Sequence, residues 1–128
     1  MRLTRLEHRV MEALWSVGPA SIREIHEAVP GGRRPPAYTT VQTVVYRLEV
    51  KGAVRRAKKI GNAHVFEAVV TRADAQRALV DEVLGAFGGR PQPLIAHLID
   101  TGQLTRDDLE QARQRLRELA SKPREKSR

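Results

Sequence analysis

The stretch from Tyr38 to Lys51 limits the fold more than any other part of the chain. Val41, Val44, Val45 and Leu48 recur at i, i+3, i+4 and i+7, which on a helix makes one apolar stripe that must face a core. The opposite side carries Thr39, Thr43, Tyr46 and Arg47, with Thr40 and Gln42 at its flanks. Glu49 is the only acid in the stretch, towards the rear edge of the polar side. A short helix that is apolar behind and bears hydroxyl, amide and guanidinium groups in front suits the DNA major groove. An ordinary solvated amphipathic helix satisfies the same pattern, so the neighbouring segments decide.

Charge distribution is the first of those neighbours. Residues 1–68 hold 12 basic and 6 acidic side chains, residues 69–121 hold 7 and 8, and residues 122–128 hold 4 and 1. Within the front part the bias concentrates between Arg33 and Lys59, where 8 basic residues face only Glu49. Such a local field is the expected footprint of a polyanion-binding face, whereas a basic surface kept for solubility would not be clustered. With 128 residues and no cysteine, the chain is expected to be one domain, or one small domain plus an appendage, without disulfides or thiolate metal sites. No apolar run reaches membrane-spanning length and no signal-peptide pattern is present, so a soluble cytoplasmic protein without membrane insertion is expected.

Taken in order, the chain opens with Thr4-Arg5-Leu6-Glu7, a capping-box pattern that starts a helix running to about Ser16. Leu3, Leu6, Val10, Ala13, Leu14 and Val17 are its expected core stripe, and Met11 and Trp15 form a second apolar edge. After Gly18-Pro19, Ser21-Ile22-Arg23-Glu24 repeats the cap chemistry for a second helix that buries Ile22, Ile25 and Val29. Arg33-Arg34-Pro35-Pro36 is a stiff basic connector, because proline fixes its own dihedral and biases the preceding residue to extended geometry. Gly52 ends the third helix. Ala53–Ala57 and His64–Ala68 then read as strands around a basic tip, Lys58-Lys59-Ile60-Gly61-Asn62. Three helices followed by a hairpin are the parts of a winged helix-turn-helix over residues 1–70.

A helical part follows at 71–121. Thr71 to about Phe87 has Leu79 and Val83 on one side and Val80, Leu84 and Phe87 on the adjacent side. Leu94, Ile95, Leu98 and Ile99 mark a short amphipathic helix, and Leu109, Ala112, Leu116 and Leu119 form a narrow seam on the last one. Roughly 50 residues bury too little surface to be secure alone. A second copy of the chain would supply the missing surface, making this a dimerisation module through Leu79, Val83, Leu84, Phe87, Leu98, Leu109, Leu116 and Leu119. Folding back on the winged helix within one chain is the other arrangement open at this point. Residues 122–128 are expected to be a disordered charged tail. The fold class expected is therefore mainly α with a small β-hairpin wing.

Several segments together carry a family resemblance: Leu3-Thr4-x-Leu6-Glu7-x-x-Val10-Met11-x-x-Leu14-Trp15, Ile22-Arg23-Glu24-Ile25, Tyr38 to Thr43 with Arg47-Leu48 and Lys51-Gly52, and Gly102-Gln103-Leu104-Thr105. Jointly they resemble the penicillinase-repressor family, from Leu3 to about Leu119. The resemblance implies a homodimeric transcriptional repressor with intertwined C-terminal helices on a palindromic double-stranded operator. It implies that Thr40, Thr43 and Arg47 face the operator and that Lys58, Lys59 and Asn62 stand in the wing. With these, Arg33, Arg34, Thr39, Gln42, Tyr46 and Lys51 complete the expected DNA-contacting set. In the best-known members a membrane-bound sensor protease leads to a cut at an Asn-Phe bond in the penultimate helix. Here that candidate cleavage position reads His97-Leu98, and the cysteine motif of the copper-responsive branch is absent.

Other chemistry finds no support in the pattern. His8, His26, His64 and His97 lack metal-ligand spacing, so no metal or cofactor is expected. Gly85 to Gly89 lacks the Gly-Lys-Ser/Thr ending of a phosphate loop, and Asp81-Glu82 and Asp107-Asp108 are adjacent rather than facing carboxylates, so an enzyme is not expected. Two functional classes remain: a base-reading repressor, and a basic protein-interaction or architectural module that binds nucleic acid without reading it. The grouping of Thr39, Thr40, Gln42 and Thr43 at one helix start favours the first.

Overall fold

The computed structural model describes residues 1–31 and 34–121. Its elements run α1 (Arg5–Val17), α2 (Ile22–Ala28), α3 (Tyr38–Lys51), β1 (Val54–Ile60), β2 (Ala63–Ala68), α4 (Arg72–Ala86), α5 (Gln92–Asp100) and α6 (Arg106–Ser121). Both expected capping boxes form at the first two helices. Thr4 Oγ1 accepts from Glu7 N at 3.2 Å while Thr4 N donates to Glu7 Oε1 at 2.8 Å, and Ser21 and Glu24 repeat the exchange at 3.2 and 2.9 Å. Each such cap satisfies otherwise orphaned helix donors and contributes about 1 kcal/mol.

Three helices and the hairpin close around one core. Val10, Met11 and Leu14 of α1, Ile25 of α2, Val41, Val44, Val45 and Leu48 of α3, and Phe66 of β2 are each at most 2% exposed. Fully burying a side chain of this size contributes roughly 1.5–3 kcal/mol, so the stripe on α3 fixes which of its faces is left outside. Met11, expected on a second edge, lies in the core itself, and Trp15 donates its indole N–H to the Val70 carbonyl at 2.9 Å. Val17 departs from the expected stripe: it sits in the last turn of α1 at the rim of the core, where Gly18 (φ 82°) ends the helix, and it stays 51% exposed. α3 ends as expected, on Gly52 in the left-handed region (φ 84°), whose N–H caps the Leu48 and Glu49 carbonyls.

The hairpin is longer than the sequence pattern suggests. β1 and β2 pair antiparallel from Val54↔Ala68 to Ile60↔Ala63, with an irregularity between Arg56 and Lys58. Lys58 and Lys59 therefore lie in a strand, and the turn shrinks to Gly61-Asn62, where glycine supplies the positive φ (60°) that so tight a reversal needs. Backbone bonds between Ala20 and Phe66 (2.9 and 2.8 Å) tie the wing to the loop between α1 and α2.

The chain divides into two compact units, Met1–Glu82 and Val83–Arg128, so the boundary falls inside α4 and not at residue 70 as the pattern suggested. The reason is local: Ala75 is buried in the first unit's core, Arg72 pairs with Glu12 at 2.9 Å and stacks over Trp15, and Arg2 pairs with Glu82. At Thr71 only half of the expected capping box forms, with Asp74 N donating to the Thr71 hydroxyl while the Asp74 carboxylate pairs with Arg77. Thr105 and Asp108 make the full exchange at the start of α6.

In the second unit no described residue is buried. Ile95, Leu98 and Ile99 on α5 and Leu109, Leu116 and Leu119 on α6 are 36–67% exposed, and Leu94 is half-buried. Side chains that a second copy of the chain was expected to cover are thus uncovered in the single chain. Among the described residues, no helix is long and apolar enough to cross a membrane.

Candidate nucleic-acid interface

Because the α3 stripe is locked into the core, Thr39, Thr40, Thr43, Tyr46 and Arg47 emerge together on the exposed face, with Gln42 half-buried at its side. Thr43 donates its hydroxyl hydrogen to the Thr39 carbonyl at 3.0 Å, a bond one helical turn back. What it presents outward is then a lone pair and a methyl group, suited to accepting from a base amino group or packing on a thymine methyl. Gln42 Nε2 donates to Tyr46 Oη at 3.4 Å, so those two polar groups act as one flank of the helix.

The basic cluster separates into two sets. Lys51 turns its ammonium inward, 2.6 Å from the fully buried carboxylate of Glu7 and 2.9 Å from the Arg2 carbonyl, so it serves the domain's packing and leaves the expected contact set. Arg55 pairs with Glu67 at 2.5 Å, and Arg56 pairs with Glu49 at 2.9 Å. Arg34, Arg47, Lys58 and Lys59 are exposed and make no ion pair among the described residues; Arg33 lies outside them. Asn62 is exposed in the hairpin turn. Cationic groups remain beside the helix and along the wing, with the acid of the helix occupied.

Arg56 is the residue that sequence reasoning missed. Its guanidinium lies 5.7 Å from the Tyr46 ring centroid and 5.4 Å from that of Phe66, while bonding Glu49 through both Nε and a terminal nitrogen. It joins the wing to α3 and occupies the one carboxylate of that helix. No periodicity announces a pairing between a helix and the strand after it; only a shared charge sign change, Glu49 against Arg56, was visible. On the other side of α3, the His26 ring packs edge-on against Tyr38 (5.6 Å, 78°) and its Nε2–H donates to the Pro36 carbonyl at 3.0 Å. Arg9 holds the Pro30 and Gly31 carbonyls. The described ends of the connector are thereby anchored to α1 and α2.

Glu7 sets the electrostatics behind this face. Burial pushes its carboxyl up, but hydrogen bonds from Lys51 and from the Thr4 backbone, the Lys51 charge and the Thr4 hydroxyl together outweigh that and hold it below the ordinary value of 4.5. Oε1 takes both bonds, and Oε2 is buried without a hydrogen-bond partner among the described residues.

The expected cleavage position lies within α5. The His97 carbonyl accepts from Thr101 N at 3.0 Å and from the Thr101 hydroxyl at 2.8 Å, so the His97-Leu98 bond sits in intact helix. The expected dimer-forming side chains Leu79, Val83, Phe87, Leu98, Leu109, Leu116 and Leu119 are each at least 36% exposed, and Leu84 is half-buried.

Residues 3–118 match the penicillinase repressor family. Over 121 residues the chain is 34% identical to the transcriptional regulator BlaI of Mycobacterium tuberculosis, in strain CDC 1551 and in strain H37Rv, covering 92% of this chain and 85% of that protein. Among solved structures, Bordetella bronchiseptica BpsR, whose DNA binding is regulated by 6-hydroxynicotinic acid, aligns at a TM-score of 0.46 and 20% identity over 94% of this chain and 77% of its own. Staphylococcus aureus MepR, a transcription regulator of the efflux pump MepA, aligns at 0.46 and 19% over 93% and 78%.

Proposed function

The chain belongs to the penicillinase-repressor family, and from that premise we propose that it is a homodimeric repressor that reads a palindromic operator. DNA-binding transcriptional repression is the family's own activity. The observation that carries the reading onto this chain is the exposed, acid-free face of α3: Thr39, Thr40, Thr43 and Arg47 outward, Glu49 held by Arg56. In this arrangement Thr40 and Thr43 address base edges, Lys58 and Lys59 address phosphates, and Arg47 stands within reach of either.

Dimerisation rests on the uncovered apolar side chains of α4, α5 and α6. A chain whose last described helices bury no residue gains by covering them, and a second copy offers the same surface by symmetry. Two α3 helices related by a twofold axis then fit half-sites about one helical turn apart. His97-Leu98 stands in place of the Asn-Phe pair and its carbonyl is held in helix, which must open locally before any protease can act, and this favours release by a different signal over a cut by a protease of altered specificity. The intact mass of the protein recovered from derepressed cells supports release by another signal; a fragment ending at His97 contradicts it. Footprinting on the preferred duplex tests the repressor itself, with two symmetric protected half-sites expected and a featureless pattern contrary.

A further inference from the structure

A depression of about 590 Å³ opens between the start of α1 and the described ends of the connector that leads to α3, lined by Arg5, Leu6, Arg9, Pro30, Gly31 and Arg34. Arg5 and Arg9 stand at i, i+4 on one face of α1, and Arg34 comes from the connector. Arg5 and Arg34 are exposed and make no ion pair among the described residues. Arg9 is half-buried and held in place. Its Nε and Nη2 donate to the Pro30 carbonyl at 3.3 and 2.7 Å, and Nη2 donates also to the Gly31 carbonyl at 3.1 Å. Its Nη1 has no partner among the described residues, so a fixed guanidinium keeps donors to spare. Like charges one helical turn apart repel, and no carboxylate among the described residues lines the depression to offset them. Half-buried Leu6 and exposed Pro30 add apolar surface between the cations.

We propose that this depression is an effector site for a small organic anion, a carboxylate or phosphate group on an apolar body, and that filling it weakens the protein's hold on DNA. Guanidinium groups match the paired oxygens of carboxylate and phosphate, and three of them meet here without a competing acid. The volume lies within the roughly 300–1,000 Å³ of small-molecule sites. Leu6 and Pro30 decide between an organic anion and the DNA backbone, because a sugar-phosphate strand is polar along its length and gains little from them, whereas an apolar body covers them. The effect on DNA runs through Arg34. It belongs to the basic cluster expected to meet DNA and stands four residues before Tyr38, the first residue of α3. An anion that occupies Arg34 takes it from a phosphate, so the anion favours the DNA-free protein and DNA disfavours the anion by the same factor. The binding site stands by itself. Its effect on DNA rests on the repressor reading and supplies a signal that releases the operator without a cut.

The test titrates the intact protein at constant ionic strength with phenyl phosphate and with benzoate, and with inorganic phosphate and benzyl alcohol for comparison, following backbone amide resonances. At least one organic anion should bind about tenfold tighter than either comparison, shifting the amides of Arg5, Leu6 and Arg9. Arg5→Ala removes a side chain with no hydrogen bond or ion pair among the described residues, so it should melt like the unaltered protein and bind that anion roughly tenfold more weakly. On a duplex enriched from a random pool by the unaltered protein, the saturating anion should lower affinity by about fivefold or more. Arg34→Ala should lose that coupling. Comparisons that bind as tightly as the organic anions, undiminished binding in Arg5→Ala, or a duplex affinity that the saturating anion leaves unchanged each overturn the proposal and leave the repressor reading intact. Absence of anion binding together with a shallower salt slope of DNA binding in Arg5→Ala overturns it too, by assigning the arginines to DNA phosphates. Failure of the unaltered protein to enrich any duplex is the separate result that removes the repressor reading, and the effect on DNA with it.

Discussion

Lys51, in the last turn of α3, reaches back to Glu7 in the first turn of α1, with Nζ 2.6 Å from Oε1. The carboxylate is fully buried and the lysine side chain 31% exposed, so the pair nails the far end of α3 to the domain. Removing one partner of a buried pair leaves the other uncompensated, which costs on the order of 3 kcal/mol. Lys51→Met is therefore expected to lower unfolding free energy by about that amount while leaving the salt slope of DNA binding unchanged. Lys59→Ala should do the reverse, flattening the slope by about 0.9 with stability unaffected. Denaturant melts and salt titrations of the two variants check the contrast; a shallower slope in Lys51→Met would return that residue to the DNA contacts.

Acid should loosen the same pair. The Glu7 carboxyl is held below 4.5 in the fold, so the unfolded chain binds its proton more readily. Its contribution is fully present above about 4.5 and fades as pH falls through the lowered folded value. Asp108, lowered by its Thr105 hydrogen bonds, shifts stability in the same direction. Stability measured from pH 6 down to pH 2 should fall, and Glu7→Gln should fall less steeply; parallel curves would show that the pair is not responsible.

Thr43 should carry sequence information and little bulk affinity. Its donor is spent on the Thr39 carbonyl, leaving an acceptor and a methyl for one base pair. Thr43→Ala is expected to cost about 1–3 kcal/mol on the preferred duplex and almost nothing on scrambled DNA. Equal losses on both would place the residue against the backbone.

The apolar faces of the last helices predict an assembly. Leu116 is 67% exposed on α6, and Leu116→Glu would set a charge into the surface proposed for a partner copy. Sedimentation equilibrium should show a dimer for the unaltered chain and a dissociation constant raised on the order of 100-fold for the variant, since each 1.4 kcal/mol is tenfold. A stable monomer at micromolar concentration, or a variant that dimerises as well as its parent, would contradict the proposal.

What could be read from the residues was local or periodic. Thr4, Ser21 and Gly52 mark helix ends through chemistry within four residues, and the 3.6-residue spacing of Val41, Val44, Val45 and Leu48 fixes a buried side without any partner being known. The partnerships of charges were not legible. Lys51 and Glu7 are 44 residues apart, so a lysine in the basic cluster looked like a DNA contact until folding brought the carboxylate beside it. The wing's extent was hidden for a different reason: Lys58, Lys59 and Ile60 have no burial alternation, and only backbone pairing with Ala63–Val65 makes them strand. The unit boundary moved to Glu82 because Arg72, Ala75 and Glu82 commit the start of α4 to the first unit through single long-range contacts that leave no pattern.

The central claim is that the face of α3 reads bases. Its most direct measurement is the affinity of the intact protein, at one fixed salt concentration, for its enriched duplex and for a scrambled duplex of equal length. Base reading predicts a ratio of roughly a thousandfold or more. Equal affinities would mean that charge alone binds the nucleic acid, and that Thr40 and Thr43 read nothing.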